Sequence, residues 1–265
     1  MGPGSLMWGI LALEDADLNM GDSSIDGTTR MSPRFPIRRT RVVSRVSEIL
    51  RICAGKKVLH LGCADMPYVL RGKDLLHNHL AEVTNKDMLW GLDISEEGVH
   101  KLRDQGFENI ILGDVEKMGS EFREMNFDVV VVGEILDHIA NAGLFLHSLG
   151  SIMTENTELI VTTPNANSFK GFVHSMLRRE KVNPDHNYYF SFRTIKQLLE
   201  KFDLQCDEVY YYQDIEGTGL TKVVDRVMSL APRVSPVWAD GIFARVTLKR
   251  SMAREPSAGD VARKS

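Results

Sequence analysis

Only three cysteines stand among 265 residues, Cys53, Cys63 and Cys206, and no two are spaced as a CxxC pair. That excludes a disulfide framework and a cysteine-based structural zinc site, and it suits a reducing compartment, so we expect a cytoplasmic protein. An excess of charge of one sign is also missing. Lys and Arg number 32 against 36 Asp and Glu, a formal net charge of −4, which gives no global field for nucleic acid or an anionic membrane. Long apolar runs are scarce as well. Leu6 to Leu13 is the longest early one; it is too short to span a bilayer and has no basic flank before it, so we expect neither a membrane helix nor a signal peptide. A small, roughly neutral reaction partner is the class that remains.

What the chain does have is the pattern of one large α/β domain, without a composition break that would split it into two cores. Residues 1–36 are rich in Gly, Ser, Asp and Met without periodicity and read as a flexible segment, and residues 251–265 as a polar tail, leaving 37–250 as the domain. From Arg38 onward, Val42, Val43, Val46, Ile49, Leu50 and Cys53 recur at three-and-four spacing before Gly55, which predicts an amphipathic helix packed on a sheet. Apolar strands are predicted at 57–61, 89–94, 109–112, 127–132 and 158–163. The unbroken valines of 127–132 fit a strand with both faces covered. Helices are predicted at 144–153, 168–179 and 191–202. Two final strands, 207–212 and 242–248, flank a helical insertion around 221–230 and should close one edge as a hairpin. The sum is a doubly wound, seven-stranded, mostly parallel α/β sheet with an antiparallel C-terminal hairpin.

The chemistry sits at the strand ends. The segment KVLHLGCADMPY runs a strand into a turn of small residues, Gly62-Cys63-Ala64, where backbone amides can approach a ligand. A dinucleotide fingerprint needs three glycines at fixed spacing; here Ala64 and Met66 stand where later glycines belong, so cradling a bulkier, less charged group is favoured over gripping a phosphate. LWGLDIS ends in Asp93, placed to accept hydrogen bonds from vicinal ribose hydroxyls, with helix capping by an exposed acid as the alternative. Asp93 lies farther from the glycine turn than the roughly 20 residues of a nucleotide fold, so an insertion or a long helix must fill Arg71 to Lys86. NIILGDVE ends in Asp114-Val115, suited to an adenine edge or to a plain surface turn.

In this order the elements resemble the class I S-adenosylmethionine-dependent methyltransferases, in their small-molecule branch, over roughly Arg38 to Arg250. The resemblance implies a Rossmann-like methyltransferase fold, S-adenosylmethionine as methyl donor and S-adenosylhomocysteine as product. It assigns the methionine part to Gly62, Cys63 and Ala64, the ribose to Asp93 with Ile94 beside it, and adenine to Asp114 and Val115. His60 is also placed at the cofactor by the resemblance, although it stands where the family usually carries an acid, and Met66 stands where the family often has glycine. FDVVVVGEILDHIANAGLFL resembles the family's fourth motif, which places Gly133 and Glu134 at the floor beside the sulfonium. Gly133-Glu134-Ile135-Leu136 replaces the Asn-Pro-Pro-Tyr type of nucleic-acid amino-methylating relatives, so no nucleic acid is expected as partner.

On the acceptor side, LIVTTPNAN and NPDHNYYFSFRTIKQLLEKF are similar to methyltransferases of glycan, lipid or secondary-metabolite pathways. His186, Tyr188, Tyr189 and Phe190 put an imidazole beside three rings that either wall a substrate pocket or anchor their loop on the core. If the acceptor is a hydroxyl, its proton needs a taker, and His138 and His186 are the candidates that titrate near neutrality, each weighed against a purely structural histidine. His77 and His79 near Asp74 lack a second ligand pair and read as a solvated face, so we expect no metal. Arg34, Arg38, Arg39, Arg41 and Arg45 read as a solvated helix face or as a greeting for an acidic acceptor. The leading expectation is methyl transfer to a hydroxyl, less readily to an amine, of a small metabolite or saccharide. A nicotinamide-dependent oxidoreductase and a non-catalytic donor-binding subunit are the alternatives.

Overall fold

The structure is a computed structural model that describes residues 40–66, 69–71, 75–119, 121–180, 182–213 and 226–249. The chain divides between Arg38 and Arg39, and the described residues belong to the second unit. The expected flexible segment 1–36, the tail 251–265 and much of the insertion around 221–230 lie outside the described residues.

Eight strands form one sheet: β1 (Val42–Val43), β2 (Val58–Leu61), β3 (Leu89–Asp93), β4 (Ile110–Leu112), β5 (Val129–Gly133), β6 (Glu158–Pro164), β7 (Leu204–Tyr212) and β8 (Gly241–Leu248). Across the sheet they stand in the order β1-β7-β8-β6-β5-β2-β3-β4. β8 runs antiparallel to both β6 and β7, and the other pairs are parallel. Between the strands come α1 (Arg45–Cys53), α2 (Leu76–Val83), α3 (Glu96–Asp104), α4 (Glu121–Glu124), α5 (Ala142–Ile152), α6 (Phe169–Met176) and α7 (Phe192–Glu200). Among the described residues no helix is long and apolar enough to cross a membrane.

β2 pairs with β3 on one side and β5 on the other, so the winding direction reverses at the β2/β5 boundary. In doubly wound sheets ligands bind outside the carboxyl ends of the strands at such a switch point. The register brings those ends level: Leu61 lies opposite both Leu92 and Val132, and Gly133 opposite Thr162. Val129 to Val132 are fully buried, and each such side chain contributes about 1.5–3 kcal/mol of burial. The helices start and stop where local chemistry directs. Ser95 and Ser191 accept the N–H groups of Gly98 and Thr194 as N-caps of α3 and α7. α1 ends just before Gly55, whose φ of +69° is a conformation that glycine adopts without Cβ strain.

Two expectations need correction. The helix read from Arg38 begins only at Arg45, because Val42 and Val43 pair in parallel with Tyr211 and Tyr212 and form the eighth strand. Two adjacent β-branched residues suit an extended edge better than a helical turn, and the backbone groups find partners there: the Tyr211 and Gln213 N–H groups donate to the Arg41 and Val43 carbonyls. Second, His77 is not on a solvated face. It is fully buried, 3.3 Å from His60 between Nδ1 atoms, because α2 lays it against β2.

Candidate functional site

The turn after β2 is built around Gly62, at φ +67°. A Cβ there would stand 2.7 Å from Ile135 Cδ1, so both backbone and space require glycine. Cys63 and Ala64 follow, fully buried, and Ala64 packs against the first turn of α3, where a Cβ on Gly98 would come within 2.6 Å of it. Asp93 ends β3 almost buried; its Oδ2 accepts the Ala64 N–H at 2.8 Å and its Oδ1 the Ser95 N–H at 2.9 Å. Each carboxylate oxygen accepts two hydrogen bonds, so this clamp leaves acceptor capacity toward the crevice. Beside it Ile94 is 73% exposed, an apolar side chain at a strand tip where a flat ring can rest. Asp114 accepts the Glu116 N–H at 2.9 Å and pairs with Lys117 at 3.0 Å, contacts that hold its carboxyl below the usual range. Val115 begins the short helical turn that follows.

His60, expected at the cofactor, instead turns almost fully buried toward α2, because its ring stacks on His77 with centroids 5.5 Å apart. Burial pushes both imidazoles down, His77 to about 4 and His60 well below its ordinary value, so both are neutral at physiological pH. At the tip of β5, Gly133 is followed by Glu134 at φ +54°, a left-handed conformation that costs a non-glycine residue about 1–2 kcal/mol. The Tyr212 hydroxyl donates to Glu134 Oε1, and Arg45 lies 3.8 Å from Oε2. Asp65, also left-handed at φ +45°, has its carboxyl pushed up by burial while the charges of Arg45, Glu134, Asp93 and His138 act on it. The carboxyl ends of β2, β3 and β5 therefore lie side by side at one edge of the sheet, the place where a doubly wound sheet forms its crevice.

Beyond β5 lies a cluster that the sequence showed only in part. Asp137 is fully buried; His186 Nε2 stands 3.1 Å and His138 Nε2 3.7 Å from its Oδ2, and the two rings meet edge to face at 4.5 Å. Burial pushes the Asp137 carboxyl up to about 6, and burial pushes the His186 imidazole down. The two histidines named as candidates are thus neighbours, and the buried acid between them is a residue that sequence reasoning missed. The loop carrying His186 is pinned to this spot: the Asn187 N–H donates to the Asp137 carbonyl at 2.7 Å, and the Asn187 side chain to the His138 carbonyl at 2.9 Å.

The three aromatic candidates divide. Phe190 is buried and bridges to Asn165, and the Tyr188 hydroxyl donates to the Ala140 carbonyl; both anchor the loop. Tyr189, with its ring 6.2 Å from His186, lines an open cavity of about 650 Å³ together with Asn167, Ser168, Phe172, Val182 and Trp238. Phe172 and Trp238, from α6 and the turn before β8, are further wall residues that the sequence did not signal. Of the basic cluster, Arg34, Arg38 and Arg39 lie outside the described residues. Arg41 stacks over Tyr210, and Arg45 reaches the crevice instead of facing solvent.

A doubly wound sheet with a small-residue turn, a strand-end carboxylate and an exposed apolar platform defines a nucleotide-type binding enzyme, and the residues present fit an adenosyl group. Residues 37–209 match the family described as "Methyltransferase domain", and the chain belongs to that family, the class I S-adenosylmethionine-dependent methyltransferases, with S-adenosylmethionine as cofactor. The match decides against the nicotinamide alternative. No curated protein matches the sequence. Among solved structures, the chain is similar to a putative methyltransferase from Bacillus halodurans at TM-score 0.52 and 13% identity, covering 78% of this chain and 99% of that one. It is also similar to the complex of the Haloferax volcanii Trm112 methyltransferase activator with a putative methyltransferase, at TM-score 0.52 and 16% identity over 77% of this chain and 89% of that one. The small RNA methyltransferase HEN1 aligns at TM-score 0.51 and 18% identity over 85% of this chain and 27% of that one. These likenesses concern the fold.

Proposed function

We propose that the protein transfers the methyl group of S-adenosylmethionine to a hydroxyl oxygen, less readily to an amine, of a small-molecule or glycan acceptor. The observation that carries this reading is the Asp137–His138–His186 cluster just beyond the tip of β5, with His186 6.2 Å from Tyr189 of the cavity wall. The turn of Gly62, Cys63 and Ala64 borders the methionine part and shapes its space, since its N–H groups already donate to the Leu92 carbonyl and Asp93; Asp93 takes the ribose against Ile94, Asp114 and Val115 the adenine, and Gly133 with Glu134 the floor. The bound cofactor supplies an electrophilic methyl group for in-line displacement, so much of the rate comes from positioning. Glu134 is fixed for that task by Tyr212 and Arg45. In this reading the cluster around Asp137 promotes the loss of the acceptor oxygen's proton.

The cavity's aromatic lining and the absence of a global positive charge support a small acceptor over a polynucleotide. The reading is tested by calorimetry with S-adenosylmethionine and S-adenosylhomocysteine, then by release of S-adenosylhomocysteine over hydroxylated aromatics, saccharides, amines and an RNA. Turnover with hydroxyl compounds is the expected outcome. Absence of donor binding by folded protein, or turnover with RNA alone, would overturn it.

A further inference from the structure

The Asp137 carboxylate poses a physical problem. It is fully buried, yet among the described residues neither oxygen has a hydrogen-bond partner, and the same holds for His186 Nδ1. A buried carboxylate without donors carries a desolvation cost that its fold must offset elsewhere. The obvious helper, Glu134, is a second acid and is already engaged by Tyr212 and Arg45. What surrounds Asp137 instead is a pair of imidazoles with their Nε2 atoms turned to the same oxygen, at 3.1 and 3.7 Å. One ligand atom from each of the three side chains can be chosen so that all lie within 4.8 Å of one another. Ligand atoms held about 2.0–2.2 Å from a divalent ion stand about 3–3.5 Å apart, so small side-chain rotations would close the set around one cation.

We propose that Asp137, His138 and His186 bind a divalent first-row transition ion, such as Zn²⁺, Co²⁺, Mn²⁺ or Fe²⁺, and that the ion is what the buried carboxylate is matched to. Two imidazoles and one carboxylate on one side of an ion suit these metals better than the all-oxygen shells of Mg²⁺ or Ca²⁺, and they leave coordination positions open. Sequence spacing hides the site, because His186 comes from a distant loop; the metal-free expectation rested on His77 and His79, which the fold sends elsewhere. The Asn187 contacts to the Asp137 and His138 carbonyls preorganise the pair of loops.

The proposal deepens the methyl-transfer reading and rests on it for its chemical use. An acceptor hydroxyl at an open position loses its proton to solvent at lower pH than a free alcohol would. Its oxygen lone pair then forms the new C–O bond while the C–S bond breaks and its electrons return to sulfur. The sum is alcohol plus sulfonium giving methyl ether, thioether and one released proton, with no oxidation or reduction. The histidines then act as ligands, and the proton leaves through solvent.

The test titrates chelator-treated full-length protein with Zn²⁺, Co²⁺ or Mn²⁺ alone by calorimetry, and records the visible absorption of bound Co²⁺. One equivalent should bind, at least tenfold more weakly in Asp137→Asn, His186→Ala and His138→Gln, and unchanged in His100→Ala, which removes an exposed histidine far from the cluster in sequence. S-adenosylhomocysteine affinity and thermal unfolding of each variant are measured alongside. No stoichiometric binding by folded wild type, or binding untouched by His138→Gln, at the most exposed of the three positions, would overturn the metal site. Loss of S-adenosylhomocysteine binding by the wild type would instead overturn the methyl-transfer reading and leave the metal result standing.

Discussion

Asp93 Oδ2 accepts the backbone N–H of Ala64 at 2.8 Å, so one carboxylate ties the tip of β3 to the turn after β2. Its other oxygen takes the Ser95 N–H, which fixes where α3 starts. The same group is therefore the scaffold of the crevice and the candidate contact for the ribose. Helix capping and ligand binding, alternatives from the sequence alone, are compatible tasks for one carboxylate with four acceptor positions.

Asp93→Ala is accordingly expected to do two things at once. The thermal midpoint should fall, because two nearly buried N–H groups lose their acceptor. S-adenosylhomocysteine should bind at least tenfold more weakly, since each hydrogen bond to a charged group is worth about 1.5–3 kcal/mol. Calorimetry on protein shown to be folded separates the two effects, and unchanged affinity there would remove Asp93 from the ribose.

Gly62→Ala combines a strained φ with a collision against Ile135. We expect a loss of about 1–3 kcal/mol in denaturant unfolding. Adding Ile135→Ala should recover the steric part and leave the backbone part, so the double variant should be more stable than the sum of single effects allows. Simple additivity would show that the turn tolerates the methyl by moving.

Acid sensitivity has a first source in Glu48, which is bonded to Arg51, Tyr210 and Arg41. The Arg51 guanidinium, with Tyr210 and Arg41, holds its carboxyl near 2 against an ordinary 4.5. A depressed folded value means that the contribution is whole above about pH 4.5 and fades as pH falls toward 2. Glu48→Gln should destabilise the protein at neutral pH by about 2 kcal/mol, and urea midpoints of variant and wild type should draw together below about pH 4.5 and meet only as pH nears 2.

The buried pair His60 and His77 is a second source with its own window. Both imidazoles are kept neutral by burial, His77 titrating at about 4 in the fold against 6.5 when exposed. The unfolded chain binds protons first, so stability is full above about pH 6.5 and drains as pH falls toward 4. His77→Leu should flatten that slope in unfolding measured from pH 7 to 4.5; an unaltered slope would show that the pair is not a titrating element of the fold.

Much of this was legible beforehand, for reasons that can be named. The Val129–Val132 run announces a central parallel strand because a short unbroken valine run suits a pleat covered on both faces, and the helix expected at 191–202 is found at Phe192–Glu200, capped by Ser191. Val42 and Val43 misled because their spacing also completes a helical stripe, and only the presence of the β7 edge decides between the two. Asp137 gave no signal. An acid beside a histidine in a loop is ordinary until burial removes its water, and its partner His186 arrives from a loop ordered by Asn187 and Phe190. Phe172 and Trp238 were invisible for the same reason: both join the cavity wall through tertiary contact, with Trp238 resting 5.6 Å from Phe169.

That cavity yields the last prediction, because its wall is energetically out of place for the fold alone. Phe172 is 59% exposed on the short helix α6, and Tyr189 and Trp238 complete an apolar face open to water. Large rings left in solvent contribute little to folding, so Phe172→Ser should lower the unfolding free energy by less than the typical core loss of about 3–5 kcal/mol. If the rings hold the acceptor, the same substitution should raise the acceptor KM by roughly tenfold, about 1.4 kcal/mol, while the affinity for S-adenosylhomocysteine stays as it was. Tyr189→Ala should act in the same sense, because its ring lines the cavity and lies 6.2 Å from that of His186. An acceptor KM indifferent to both changes would move the acceptor out of this cavity.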